Sequence, residues 1–287
     1  MSTTRNIQLV ECPRDAMQGW KHFIPTEQKI EYINSLLQVG FHTIDFGSFV
    51  SPKAIPQMAD TPEVLKGLQL ENSGTALLSI VANLRGAEAA VSYDEISYLG
   101  FPFSLSQTFQ LRNTNSTMEE SVKRVEEIQN LCINSNKKLV VYLSMGFGNP
   151  YGDAYSEEVL LHWAEEMVNR EVTILSLADT VGLATPGQIS FALNTLIPKY
   201  SGTTIGVHLH STSLNWKQKL EAAVLSGCTR IDGALKGIGG CPMAQNDLVG
   251  NMNMEWIIEY LEENLQTNPI NQAALQKSLE MATRIFI

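Results

Sequence analysis

The sequence lacks the features that mark membrane and exported proteins. It has no run of the roughly 18 to 20 uninterrupted apolar residues that a spanning helix needs. Its start, MSTTRNIQLV, has neither an apolar signal core nor an Arg-rich leader. We therefore expect a soluble, cytoplasmic protein with no membrane partner.

Basic residues and cysteines are also scarce. The 287 residues carry 20 Lys and Arg against 30 Asp and Glu, a formal net charge of −10, and show no basic cluster. Nucleic acid would be repelled by such a charge, so we expect a small-molecule partner and no nucleic acid. The four cysteines are widely spaced, which argues against a disulfide framework. With 44% hydrophobic residues, the chain has ample material for a large core.

Short apolar runs alternate with helix-like segments along the chain. Apolar residues recur at helical spacing between the runs, and this alternation requires a parallel sheet with helical crossovers. Eight such units predict a TIM (β/α)8 barrel. An open doubly wound sheet is the alternative, but it usually has a glycine-rich turn after its first strand, and here that turn reads CPRDAMQG. The strand-like runs lie at 7–12, 42–47, 76–82, 95–101, 138–145, 173–179, 204–210 and 229–234.

The domain organisation follows from the same alternation. No Pro-, Ser- or Gly-rich linker and no shift in composition divides the chain. We therefore expect a single domain over residues 1–287. In it the barrel covers about 5–250, and additional C-terminal helices cover about 252–287.

Polar residues accumulate at the predicted carboxyl ends of the strands, where the loops of such a barrel form one mouth. His208 and His210 lie two apart on a predicted strand, so both imidazoles project to the same side. They are either hydrogen-bonded lining groups or ligands of one ion. Asp15 and Asn251 offer oxygen ligands nearby, and this donor set with open positions suits Mg²⁺ or Mn²⁺.

Four further residues at this mouth have a chemical and a structural interpretation. Arg14 would stabilise a developing enolate or form a salt bridge at the rim. Asp45 and Asp179 end apolar strands, where a carboxylate acts on the substrate, caps a helix or supports a neighbouring ligand. Cys241, in the glycine-rich segment GIGGCPMAQ, is a protonated thiol at neutral pH and would suit a proton donor.

Several segments together resemble the 3-hydroxy-3-methylglutaryl-CoA lyase family of the DRE-TIM metallolyase superfamily. The resemblance runs nearly end to end, and its most specific parts are SFVSPK with PQM and the glycine-flanked cysteine. It implies a homodimeric TIM barrel that binds a divalent cation and cleaves a CoA thioester to acetyl-CoA and acetoacetate, in leucine catabolism and ketone-body formation. The segments are ECPRDAMQ (11–18), SFVSPKAIPQMAD (48–60), SLADTVGLATPG (176–187), VHLH (207–210) and GIGGCPMAQ…GN (237–251).

The resemblance also implies roles for matching residues. Arg14 would face the thioester or enolate oxygen, and Cys241 would be the general acid on a mobile loop. Asp179 and Glu255 would support the geometry of substrate and metal. The group that removes the hydroxyl proton stays open among Asp15, a metal-held water, Asp45 and His208. The implied metal ligands are Asp15, His208, His210 and Asn251, and the implied substrate or CoA contacts are Gln18, Ser48, Asn113 and Ser176.

The chain departs from the family pattern at four places. Ala16 replaces a glycine, Asp45 replaces a glutamate, and Asn149 replaces a frequent cysteine. After His210 the family commonly has Asp-Thr-Tyr-Gly, whereas this chain has Ser-Thr-Ser-Leu at 211–214. These changes leave the four predicted ligands in place and bear on acyl-group specificity.

Three other functions compete with this interpretation. The nearest is a related DRE-TIM enzyme that acts on another hydroxyacyl-CoA, or that condenses acetyl-CoA with a 2-oxo acid as citramalate, isopropylmalate and homocitrate synthases do. Those synthases generally carry further segments that 287 residues do not accommodate. The others are a pyruvate-class aldolase and a non-catalytic barrel. The non-catalytic barrel predicts the loss of a ligand or of Cys241, and neither is lost.

Overall fold

The computed structural model describes residues 6–71, 73–240, 249–265 and 269–287. In these ranges eight parallel strands close into a barrel in which each strand pairs with its neighbours in sequence and β1 pairs with β8. The predicted TIM barrel is therefore confirmed. The strands are β1 Gln8–Glu11, β2 Thr43–Phe49, β3 Ala76–Val81, β4 Ile96–Ser104, β5 Lys138–Ser144, β6 Ile174–Ala178, β7 Thr204–His208 and β8 Arg230–Gly233.

Helices surround the barrel, and α10 and α11 are the additional C-terminal helices that the sequence predicts. Many begin at a side-chain cap, such as the reciprocal capping box of Thr117 and Glu120 on α6. The helices are α1 Pro13–Gln18, α2 Thr26–Leu36, α3 Thr61–Lys66, α4 Leu84–Val91, α5 Gln107–Thr114, α6 Met118–Asn134, α7 Glu157–Val168, α8 Pro186–Lys199, α9 Trp216–Leu225, α10 Met254–Asn264 and α11 Gln272–Ile285.

The two faces of the sheet contribute to separate apolar clusters. Because successive side chains of a strand point to opposite faces, Leu77 and Leu139 pack outward under the helices, in the larger cluster. Leu78, Val140 and Tyr142 point inward and form a smaller cluster in the barrel interior with Ile174. This interior core supports the side chains at the carboxyl ends of the strands.

The C-terminal helices return to the start of the barrel. The hydroxyls of Ser35 on α2 and Ser278 on α11 lie 2.9 Å apart, and the rings of Trp20 and Phe286 meet edge to face at 5.2 Å. Across the described ranges, no helix combines the length and apolarity needed to cross a membrane. The expected single-domain organisation stays a prediction.

Candidate metal centre and active site

The candidate site lies at the carboxyl end of the barrel. β1 ends at Glu11, and α1 begins at Pro13, where proline fits the first helical position. The short α1 therefore places Arg14 and Asp15 over the barrel mouth, where they are 8% and 7% exposed. Charged side chains buried this deeply require close partners, and both have them.

Three predicted ligands converge at this mouth. One ligand atom from each of Asp15, His208 and His210 lies within 4.8 Å of the others. β7 ends at His208, so His210, which the sequence placed within the run 204–210, lies beyond the observed strand and forms an antiparallel bridge with Asn251. The two imidazole rings are 5.4 Å apart. The predicted convergence of the histidines therefore occurs at a strand end rather than within a strand.

Asn251 completes the cluster and carries the observation that best indicates a cation. Its Nδ2 donates to Asp15 Oδ2 at 2.7 Å and to the carbonyl of Ile238 at 2.9 Å. Its Oδ1 is buried and accepts no hydrogen bond from the described residues. A buried acceptor without a donor is costly, and a bound cation would satisfy it.

Neighbouring acceptors orient both imidazoles. Nδ1 of His210 lies 2.8 Å from the Val249 carbonyl, and Nδ1 of His208 lies 3.3 Å from Asp232 Oδ2. With a proton on each Nδ1, each Nε2 has a free lone pair for a metal. Burial lowers the pKa of His210 to about 4. Burial acts in the same direction on His208, but its hydrogen bond to Asp232 raises the pKa overall.

Arg14 links the cluster to β2. Its Nε and Nη2 donate to Asp45 Oδ2 at 3.0 and 2.5 Å, and its Nη1 donates to Asp15 Oδ1 at 3.0 Å. Burial raises the pKa of Asp45 to about 6 despite the guanidinium. Burial also acts to raise the pKa of Asp15, but the charges of Arg14 and His208 lower it overall. Asp15 is therefore held as a carboxylate, the form that binds a cation.

These residues fit a divalent cation. They offer one carboxylate, two imidazoles and one amide oxygen, a mixed nitrogen and oxygen set with a single net negative charge. A second group of possible ligands, formed by Cys12, His208 and Asp232, shares His208 and lies deeper in the barrel. Burial raises the pKa of the Cys12 thiol well above its ordinary value, and its Sγ lies 3.7 Å from the Val10 carbonyl.

Asp179 lies in a buried ion pair beside the cluster. Its Oδ2 accepts from Lys219 Nζ at 2.7 Å, and its Oδ1 accepts from the backbone of Ala184 at 2.9 Å. Thr185 caps α8, so the capping alternative for Asp179 is wrong. Burial raises the pKa of Asp179 even with Lys219 present.

Glu255, in the first turn of α10, lies at the base of the loop that leads to Cys241. Its Oε2 accepts from the backbone of Lys236 at 2.9 Å, and the fully buried Glu11 accepts from the backbone of Leu235 at 2.9 Å. The two carboxyls therefore anchor the start of the loop. Cys241 itself lies outside the described residues.

The remaining predicted contacts are distributed around the mouth. Gln18 Nε2 donates to Asp15 Oδ1 at 2.7 Å, and Ser176 Oγ lies 3.5 Å from Asp232 Oδ2. Ser48, on β2, is buried and its Oγ has no hydrogen-bond partner in the described part of the chain. Asn113 lies on α5 and is half-buried.

Two residues with a role at this site were missed by sequence reasoning. Asp232 stands in the predicted strand 229–234, and the alternation of that strand places it inward beside His208. The search for charged groups at strand ends would have found it. Lys219 stands on an amphipathic helix, and no local pattern distinguishes it from a surface lysine.

Comparisons with known proteins find relatives over most of the chain. Residues 6–282 match the protein-family model described as HMGL-like. The chain is 34% identical over 257 residues to the hydroxymethylglutaryl-CoA lyase YngG of Bacillus subtilis, covering 89% of this chain and 85% of the relative. It is 33% identical over 258 residues to the human cytoplasmic 3-hydroxy-3-methylglutaryl-CoA lyase, covering 89% and 68%.

A solved structure is similar over nearly the whole chain. It is that of an HMG-CoA lyase from Acinetobacter baumannii in complex with coenzyme A and 3-methylmalate. The TM-score is 0.90 at 30% sequence identity, and the match covers 98% of this chain and 91% of the other.

Proposed function

The chain belongs to the HMGL-like family, and we propose that it is a divalent-metal-dependent lyase that cleaves 3-hydroxy-3-methylglutaryl-CoA to acetyl-CoA and acetoacetate. The observation that carries the proposal is the convergence of Asp15, His208, His210 and Asn251 beside the Arg14 guanidinium. The coenzyme A bound to the A. baumannii relative supports a CoA thioester as the substrate.

The four converging side chains would hold the cation, Mg²⁺ or Mn²⁺. When bound, such an ion supplies a Lewis acid that polarises oxygen atoms of the substrate. The protein's contribution is to present deprotonated ligands in a fixed arrangement. Asp232 and the Val249 carbonyl set the two imidazole rings, and Arg14 and Gln18 hold the Asp15 carboxylate.

Arg14 supplies positive charge where the cleavage produces negative charge. As the carbon–carbon bond breaks, its electron pair moves toward the thioester carbonyl and charge develops on that oxygen. Asp45 holds the guanidinium through two of its nitrogens, so the side chain is oriented before the substrate binds. Arginine suits this role because it cannot lose its proton at neutral pH.

Cys241 is proposed as the acid that protonates the enolate carbon and so yields acetyl-CoA. Its place in the glycine-rich sequence GIGGCPMAQ supports this role, as does the ordinary thiol pKa of about 8.5, which keeps the proton on sulfur at neutral pH. The preceding Gly239 and Gly240 have φ of 109° and 137°, a backbone that other residues rarely adopt.

The other residues are proposed to bind or support the substrate. Gln18 ends α1, Ser48 lies near the end of β2, Ser176 lies within β6, and Asn113 lies on α5. All four are proposed contacts of the acyl chain or the CoA group. Asp179 and Glu255 are proposed to support the loops that surround it, through the hydrogen bonds described above.

We also propose the protein's context. The single-domain enzyme would work as a homodimer in the cytoplasm, in leucine catabolism and ketone-body formation. A curated relative named as cytoplasmic supports the location, although other relatives are named as mitochondrial.

An assay of acetoacetate release tests the activity. Purified protein is incubated with 3-hydroxy-3-methylglutaryl-CoA and Mg²⁺ or Mn²⁺, with and without a chelator. We expect metal-dependent release that the chelator abolishes and that added metal restores. His210→Ala should lose this activity, whereas His162→Ala, which alters an exposed histidine on α7, should keep it. Absent or metal-independent release would refute the proposal.

A further inference from the structure

Lys219 is a buried lysine whose three donors are all used at the candidate site. It lies on α9 and is 2% exposed. Its Nζ donates to Asp179 Oδ2 at 2.7 Å, to the carbonyl of His210 at 2.8 Å and to the carbonyl of Gly182 at 3.0 Å. An ammonium has three N–H groups, so these acceptors satisfy it completely.

The three acceptors belong to two neighbouring parts of the barrel mouth. Asp179 and Gly182 lie in the loop that follows β6, and His210 lies just beyond the end of β7. Asp179 also accepts from the Ala184 backbone through its second oxygen at 2.9 Å. The lysine therefore ties residues 179–184 to the backbone of a candidate metal ligand.

The same network reaches His210 from a second direction. Gly182 has a φ of 74°, and a Cβ built on it would lie 2.9 Å from Val249 Cγ1, so the loop packs directly against Val249. The Val249 carbonyl in turn lies 2.8 Å from Nδ1 of His210. Lys219 thus contacts the backbone of His210 directly. It also contacts the loop at Gly182, which packs against the residue that orients the imidazole ring, Val249.

We propose that Lys219 is a positioning residue that sets the coordination geometry of His210. This inference rests on the proposed metal centre. A buried ion pair is by itself weak support for a stabilising role, because the desolvation of two charges offsets their attraction. The three contacts of Lys219 instead converge on a candidate metal ligand and on the loop beside it, as a positioning role requires.

A second buried lysine provides a matched control. Lys29 on α2 is 1% exposed and pairs with Asp60 at 2.7 Å, and it also donates to the carbonyl of Gln57. None of these partners belongs to the metal cluster. Lys29→Met removes a buried, ion-paired ammonium as Lys219→Met does, but leaves the contacts of His210 intact.

The test is a Co²⁺ titration of the metal-free protein, followed by the visible absorption bands of the bound ion. We expect Lys219→Met to weaken Co²⁺ binding about 10- to 100-fold and to change the band positions. Replacing a residue that hydrogen-bonds to a metal ligand typically lowers metal affinity by this factor. Lys29→Met should bind Co²⁺ as the wild type does, whatever its stability. If Lys219→Met fails to fold, Lys219→Gln, which keeps a donor, carries the same comparison.

The outcomes separate this inference from the proposed function. Wild-type affinity and an unchanged spectrum in the folded Lys219 variant would refute the positioning role and leave the metal centre in place. Equal weakening in the Lys29 variant would also refute it, since the effect would then reflect stability alone. Absence of Co²⁺ binding to the wild type would overturn both.

Discussion

Arg14→Met separates the structural role of the guanidinium from its proposed catalytic role. Methionine has a similar length but no charge and no donor. The substitution removes the contacts to Asp45 at 3.0 and 2.5 Å and to Asp15 at 3.0 Å. Asp45, whose side chain is 1% exposed, is then a buried carboxyl without a counter-charge.

The structure gives a magnitude for each role. Removing one partner of a buried ion pair costs about 3–5 kcal/mol, because the remaining charge is left uncompensated. Since domains are typically stable by about 5–15 kcal/mol, the variant should still fold. Losing a fixed donor to the developing negative charge should lower kcat by about 100- to 1000-fold.

The double variant Arg14→Met with Asp45→Asn distinguishes the two effects. Replacing the stranded carboxyl by an amide should recover at least half of the lost free energy of unfolding, measured by urea denaturation. It should recover none of the lost kcat, measured by acetoacetate release at saturating metal. Recovery of activity together with stability would refute the catalytic role of Arg14, as would a single variant that keeps more than a tenth of wild-type kcat.

Three further substitutions test other parts of the structure. Burial raises the pKa of Glu11 well above its ordinary 4.5. The stability that the protonated Glu11 side chain contributes is therefore complete below about pH 4.5 and is lost as the pH rises through the raised pKa. As the pH rises above 4.5, the free energy of unfolding of Glu11→Gln should therefore increase relative to that of the wild type, by up to about 1.4 kcal/mol per pH unit. Urea denaturation measures this difference, and a difference that does not change with pH would contradict the prediction. Arg230→Met should raise the free energy of unfolding by about 1–3 kcal/mol, because the fully buried guanidinium has no hydrogen-bond partner among the described residues. A lower urea midpoint in this variant would contradict the prediction. Gly239→Ala would place a Cβ 2.5 Å from Asn251 Nδ2 and should weaken Mn²⁺ binding, measured by calorimetry. The control is Gly227→Ala, which is also at positive φ but in open space and should not weaken Mn²⁺ binding. Equal weakening in both variants would attribute the loss to backbone strain.

The fold was predictable because its determinants are local. Each strand of the barrel overlaps a short apolar run, as the prediction at 229–234 overlaps β8 at Arg230–Gly233. The additional C-terminal helices predicted over about 252–287 correspond to Met254–Asn264 and Gln272–Ile285. The main discrepancy is at His210, because pairing with the sixth strand ends at His208 and the chain then bridges to Asn251.

The candidate site was only partly predictable, because its pairings join distant parts of the chain. Strand ends meet at one mouth, so the convergence of Asp15 with the histidines follows from the fold alone. The pairing of Arg14 with Asp45 depends on the side-chain geometry of two neighbouring units. The role of Lys219 depends on the direction in which one helical residue points, and apolar periodicity does not encode that direction.

The segment after His210, where the sequence departs from the expected family pattern, bears on how the candidate ligand His210 is anchored. The segment after His210 is held by the Ser211 amide, which donates to the Gly250 carbonyl at 3.1 Å, and by the Thr212 amide, which donates to Asn215 Oδ1 at 2.8 Å. This turn leads into α9, and α9 carries the lysine that holds the His210 carbonyl. The segment 211–214 and the buried ammonium therefore act on the same backbone, so the sequence at 211–214 is compatible with the proposed set of metal ligands.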